Sequence, residues 1–189
     1  MSDVRILTIS GSLRRDSHNT RLLREAERLD PGGVMFDHFS GLGKLPLFNE
    51  DEEHPAPPAV VDLRDRVRRA DAVLIATPEY NSGIPGGLKN ALDWLSRGEM
   101  PLAHKPTAII GASPGAFGTV RAQTSLRRVL HKMNVNVLRH PEFLLGHAHT
   151  HFDANGCLPA DSPTVQLLTT VLDGLVDLVE EHRAKLAAA

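Results

Sequence analysis

The densest group of chemistry-bearing residues lies in "SGSLRRDSHNTRLL", where Ser10, Ser12, Ser17, Asn19 and Thr20 surround Arg14 and Arg15 just before a helix-like stretch. Hydroxyl donors, a guanidinium and the unpaired N–H groups of a helix start together suit a phosphate. The segment carries neither G-x-x-x-x-G-K-[ST] nor G-x-G-x-x-G, which sets aside a Walker loop and the dinucleotide fingerprint. It offers no evident carboxylate set for magnesium, although Asp16 is present. A phosphate that is held and not transferred, the handle of a cofactor, fits these residues. A polar loop capped by Ser17 or Asn19 is the competing reading.

Other segments invite a chemical reading. "GASPG" at 111–115 matches G-x-S-x-G and follows an apolar run, which raises Ser113 as a nucleophile. The oxyanion hole of that motif needs the N–H of the next residue, and Pro114 has none. Ser113 is therefore read as a polar group facing a crevice. In "HPEFLLGHAHTHFD", His147, His149 and His151 alternate, so on an extended segment they would face one way and could bind a metal with Asp153. Nothing else completes such a shell, and a solvated or subunit-facing strand is the favoured reading; no metal site is expected. Cys157 is the only cysteine, so no intrachain disulfide can form, and it is read as a bystander thiol in a cytoplasmic protein.

The segment "TPEYNSGIPGGLKNALDW", 77–94, crowds prolines, glycines, Tyr80 and Asn81 between an apolar run and a helical pattern. Trp94 is expected in the core, Tyr80 has simple packing as its competing reading, and Lys89 with Asp93 is expected to form an exposed i,i+4 pair.

These loops need elements to position them. Apolar runs at 4–10, 34–39, 72–78, 106–113 and 134–139 read as strands, and the first, third and fourth are apolar enough to be buried on both faces. Between them run helical faces: Leu22, Ala26, Leu29; Val60, Leu63, Val67; Leu88, Ala91, Leu92, Leu95; Ala122, Leu126, Leu130; and Leu168, Val171, Leu175. Ser162 with Pro163 should open the last helix, and "DPGG" at 30–33 should close the first. The alternation predicts an α/β doubly wound five-stranded parallel sheet, order 2-1-3-4-5, with helices on both faces. Ligands of such sheets lie beyond the carboxyl ends of the strands where the order reverses, so the loops after strands one, three and four should converge.

The 189 residues suit one domain spanning 1–189, and 21 Lys and Arg against 23 Asp and Glu, a formal charge of -2, predict no nucleic-acid or membrane partner. No apolar stretch reaches the length of a membrane span.

Taken in order, "GSLRRDSHN", "TPEYNSGIPGGLKNALDW" and "GASPGAFG" resemble the NADPH-dependent FMN reductase family, whose members include quinone, chromate and azo-dye reductases. The resemblance covers roughly Val4 to Glu142. It implies a flavodoxin-like fold and an enzyme that passes a hydride from NADPH through bound FMN to quinones or similar electrophilic acceptors. It further implies that Ser12, Leu13, Arg14, Ser17, His18 and Asn19 hold the FMN phosphate and ribityl tail. Pro78, Glu79, Tyr80 and Asn81 would line the isoalloxazine ring, with Ser113 and Gly115 closing its other side. No residue is implied as a catalytic acid or base, because the flavin carries the chemistry. Gly83, Gly86 and Gly87 would let the backbone approach the ring, Pro78 and Pro85 would stiffen the loop, and the helix start after Pro85 would favour negative charge on the flavin. His18 stands where the family often has an aromatic residue, and Ser82 and Gly83 fall in a variable stretch. A homodimer or homotetramer is implied, with the helices at 88–95 and 120–130 as contact faces. The alternative is a flavodoxin-like FMN electron-transfer or redox-sensing protein without nicotinamide turnover; Arg14 and the near-neutral charge argue against it.

Overall fold

β1 (Val4–Ser10) runs between two parallel neighbours, with Val4 beside Val34 of β2 (Val34–Phe39) and Ile6 beside Ala72 of β3 (Ala72–Ala76). β3 pairs in turn with β4 (Pro106–Ala112), Val73 beside Thr107. The computed structural model describes residues 4–30 and 32–188. Sheet order is β2-β1-β3-β4 and then a fifth position, as the strand and helix alternation requires.

That fifth position departs from expectation. In place of one strand over 134–139 there are two short ones: β5 (Asn136–Val137), beside Pro106 and Thr107, and β6 (Phe143–Leu145), beside Ile110 to Ala112. Pro141 lies between them, and a residue without an N–H cannot continue the ladder. β3 and β4 also stop short of their expected ends, at Ala76 and Ala112. The polar residues that follow leave the sheet to build loops.

Alternating side chains send the sheet's two faces into separate cores. Ile6, Leu74 and Ile110 pack with α1 (His18–Arg28) and α5 (Pro163–Ala187) through Leu22, Ala26, Leu168, Val171 and Leu175. Leu7, Ile9, Ile75 and Ile109 pack with α2 (Pro58–Arg69), α3 (Gly86–Leu95) and α4 (Val120–Lys132). Trp94 is fully buried in this second core, its indole N–H donated to Pro46 O at 2.9 Å. Lys89 and Asp93 form the exposed pair on α3, at 2.6 Å. Ser162 caps α5 by accepting the Val165 N–H, with Pro163 in the first turn. α1 ends at Arg28, ahead of the 30–33 stop, where Gly32 and Gly33 take positive φ; Pro31 of that stop lies outside the described residues.

Candidate cofactor site

The loop from Gly11 to Ser17 crosses the carboxyl edge of the sheet at the reversal of strand order. Gly11 is needed there for close approach, since a Cβ would sit 3.1 Å from Leu88 and 3.2 Å from Pro78. Ser17 is the N-cap of α1, accepting the N–H groups of Asn19 and Thr20 at 3.2 and 3.3 Å. Asn19 is buried and clamps the helix start to the end of β4: its side-chain oxygen accepts Ala112 N–H and its NH2 donates to Ala112 O, both at 2.9 Å. Ser17 and Asn19 therefore shape the loop, while other groups remain open for a ligand. Ser12 Oγ, the Arg14 guanidinium and an exposed Leu13 face outward, and the N–H groups of Leu13, Arg15 and Asp16 meet no acceptor among the described residues. Arg14 itself bonds to Asp16 O.

His18 opens α1 with its ring stacked on Phe152, centroids 5.6 Å apart, and its Nδ1 buried without a partner. Burial lowers its basicity, with Arg14, Arg21 and His149 adding repulsion, so the ring is neutral at pH 7. Beside the loop, a cleft of about 380 Å3 opens between α1 and the end of β2, edged by Ser10, Ser12, Leu13 and Arg24. Its far wall carries His38, bonded to Thr8 Oγ1 at 2.7 Å and to Glu27 at 2.9 Å.

The loop after β3 turns on a two-residue hairpin. Tyr80 and Gly83 exchange backbone hydrogen bonds at 3.2 and 3.0 Å, while Asn81 and Ser82 take φ of 49° and 62°. Two successive positive φ values define a type I′ turn, and Asn tolerates that region better than most residues. The left-handed positions thus fall on Asn81 and Ser82, whereas no glycine of this loop has a positive φ among the described residues. Gly86, at the first position of α3, instead leaves open space where a Cβ would stand. Pro78 is buried beneath the loop and Tyr80 is 50% exposed at its rim. Tyr80 OH reaches Ser12 Oγ at 3.4 Å and so joins this loop to the first.

Glu79 points away from that rim. Its carboxylate accepts the N–H groups of Arg121 and Ala122 at 2.9 and 3.1 Å and pairs with the Arg121 guanidinium at 3.1 Å. Burial opposes its ionisation, but those donors outweigh burial and hold the carboxyl below the usual range. It serves as the cap of α4, whose own Thr119 caps nothing and instead meets Gln123.

In the third loop, Ser113 Oγ accepts Gly115 N–H at 3.2 Å, and the backbones of Ser113 and Gly115 are stitched to Leu145, His147 and Ala148. No base reaches Ser113 among the described residues. Phe117 stands 70% exposed, with Arg121 5.4 Å from its ring centroid. In the sequence, the one signal for Phe117 is an aromatic residue flanked by small ones in "GAFG". The three histidines are not on a strand: residues 148–150 form a 3-10 turn entered through His147 at φ 46°. The turn directs His147 and His149 edge to face, 6.4 Å apart, while His151 meets Thr164. Among the described residues no group of three or more His, Cys, Asp or Glu could hold a metal.

An anion cradle at a helix start, a stiff hairpin offering its backbone and a third loop opposite give the donor set that FMN requires. Ser12, Arg14 and the open N–H groups are the groups that could hold its phosphate, and Tyr80, Asn81, Ser113 and Gly115 lie on the loops that could flank its ring. Fold and site together define a flavodoxin-like nucleotide-binding protein. The sequence pattern of the NADPH-dependent FMN reductases matches residues 4–150, and the chain belongs to that family. An NAD(P)H-dependent FMN reductase of Pseudomonas aeruginosa is 47% identical over 84% of this chain and 86% of its own. A 2-hydroxy-1,4-benzoquinone reductase of a Burkholderia species is 39% identical over 95% of this chain and 98% of its own. Among solved structures, FerB, a flavoenzyme NAD(P)H:(acceptor) oxidoreductase from Paracoccus denitrificans, matches with a TM-score of 0.86 and 36% identity, covering 95% of this chain and 98% of that one.

Proposed function

We propose that this protein is an FMN-dependent NAD(P)H oxidoreductase acting on quinones or similar electrophilic acceptors. Held by this chain, FMN would supply the two-electron chemistry that links oxidation of the nicotinamide to reduction of the acceptor. The chain binds and orients. Ser12, Leu13 and Arg14, with the N–H groups left open at Ser17 and His18, would hold the phosphate and ribityl tail, and the Ser17 and Asn19 side chains set the shape of the loop that does so. Pro78, Glu79, Tyr80 and Asn81 would line one edge of the ring, with the backbone N–H groups of Glu79 and Asn81 left open by the Tyr80–Gly83 hairpin as its donors, and Ser113 with Gly115 would close the other. No side chain is assigned as acid or base. The observation that carries this reading is the Ser12–Tyr80 contact, which joins the loop after β1 to the loop after β3 and supports one ligand spanning both. Names of relatives that reduce FMN and a benzoquinone support the same chemistry.

A second copy of the chain is proposed to cover the groove between α3 and α4, giving a homodimer or a tetramer built from it. No helix among the described residues is long and apolar enough to cross a membrane. Dependence on nicotinamide nucleotides and a single cysteine support a cytoplasmic setting, which fractionation of expressing cells checks.

The purified protein should carry or take up FMN, show flavin absorbance, and oxidise NADPH or NADH faster when a quinone is added. Arg14→Ala should weaken FMN retention at least tenfold without unfolding the chain, tenfold being 1.4 kcal/mol, within the range of a charge-assisted hydrogen bond. A protein that binds FMN but never accepts hydride sinks the enzyme reading, and one that cannot bind FMN sinks the site as well.

A further inference from the structure

A second cleft, about 260 Å3, lies on the outer side of α1 opposite the turn at 153–157. Arg15, Arg21 and Arg24 line it, together with Asp16, Glu25 and Cys157. None of the three guanidiniums has a carboxylate partner among the described residues, and Arg21 merely lies 5.9 Å from the ring centroid of Phe152. Elsewhere Arg28, Arg66, Arg68, Arg97, Arg121 and Arg127 are each tied to an acid.

The nearby acids are engaged in other ways. Buried Glu25 is held by Arg28 at 2.7 Å and by the Leu158 N–H at 3.0 Å. Asp153 is turned into its own loop, accepting the N–H groups of Asn155 and Cys157 at 2.8 and 2.9 Å. Only Asp16, exposed at the edge, adds uncommitted negative charge against three cations. Gly156, at φ 79°, lets the turn at 153–157 take a left-handed backbone, with Arg21 lying beside it at ordinary contact distance. In a chain of net charge -2, this concentration of guanidinium is a local anion field.

We propose that this cleft binds a second phosphate, a phosphomonoester dianion, and that its source is the 2′-phosphate of NADPH. The inference rests on the reading of the chain as a nicotinamide-dependent enzyme. NADPH and NADH differ only in that dianion, so discrimination between them requires cations that meet it, and guanidinium is the side chain best suited. FMN brings a single phosphate, for which Ser12, Arg14 and the first-loop N–H groups suffice. Arg15 and Arg21, which line only the outer cleft, are surplus to it, and Arg24 borders both clefts. Thr20 borders both clefts, so a dinucleotide reaching the flavin across the start of α1 would carry its adenosine end to these arginines.

The test uses FMN-loaded protein titrated calorimetrically with 2′,5′-ADP, with 5′-AMP and with inorganic phosphate. We expect 2′,5′-ADP to bind at least tenfold more tightly than 5′-AMP. An Arg15→Gln/Arg21→Gln double variant, which keeps every backbone N–H of the first loop, should abolish that preference and lower the NADPH-to-NADH ratio of kcat/KM by the same factor, with FMN affinity kept within twofold. Cys157, the only thiol, gives a local readout: 2′,5′-ADP should slow its alkylation in the unchanged protein and not in the double variant. Equal binding of 2′,5′-ADP and 5′-AMP overturns the proposal, as does inorganic phosphate protecting Cys157 as well as 2′,5′-ADP at equal concentration, which would make free phosphate the occupant. Loss of FMN along with 2′,5′-ADP in the double variant also overturns it, by merging the two clefts into one site. Failure to oxidise either nucleotide strikes the functional reading, whereas equal use of both by an active enzyme strikes this inference alone.

Discussion

Glu79 shows how a residue can sit in a site's signature and still face away from the ligand. Its carboxylate caps α4 from another loop, so Glu79→Ala should destabilise the fold by about 1 kcal/mol, the usual cost of a lost cap. Because its folded pKa lies below the unfolded one, its stabilisation is complete at neutral pH and is lost as pH falls through the folded value. Urea midpoints from pH 7 to pH 3 should fall less steeply for Glu79→Ala than for the unchanged protein; parallel curves would refute this role. Such assignments were not legible beforehand. The types of Ser12, Arg14, Tyr80 and Asn81 declared a polar site, but the partners of Glu79 and Asn19 lie 42 and 93 residues away, and no local pattern encodes them.

At the scale of elements, β4 ends where all the loops meet, and Gly111 makes that possible. A Cβ there would collide with Thr119 Oγ1 and lie 2.7 Å from Thr77 O. Gly111→Ala should therefore cost about 1–3 kcal/mol through overpacking and lower Tm by about 2–4 °C for each kcal/mol. FMN affinity should fall with it, since the loops after β3 and β4 are pushed apart; an unchanged Tm would show that the crowding relaxes freely. β1, β3 and β4 could be read from their runs of Val, Ile and Leu because burial on both faces leaves a continuous apolar signal, whereas β2, at the sheet edge, shows only a shorter and partly polar one. The fifth position could not be read. β5 and β6 have two and three residues, too short for periodicity to register, and the partner that unites them is β4 itself. The histidine segment misled for a related reason: alternation suggests a strand only where a ladder is available to extend it.

Over the whole molecule, α3 and α4 bury one side in the core and leave between them a groove of about 500 Å3. Leu92, Val129 and Met133 line it, with Lys89, Asp93, Arg128 and Lys132 among its charged groups. Both signs of charge on one patch allow a twofold copy to pair with itself. Sedimentation equilibrium should give twice the chain mass or a multiple of it, and Arg128→Glu should shift the population toward single chains. A monomer at every concentration would remove the proposed interface.

The clamp between Asn19 and Ala112 also sets an order of construction. The residues of the first-loop anion cradle have all been synthesised by position 20, yet that loop is not held in shape until a residue 93 places after Asn19 has emerged and joined the sheet. The outer arginine cleft waits longer, because its opposite wall lies at 153–157 and is anchored by the Leu158–Glu25 bond. During synthesis the two clefts are therefore completed in sequence, the inner one first, and a growing chain gains its first formed anion site well before its second.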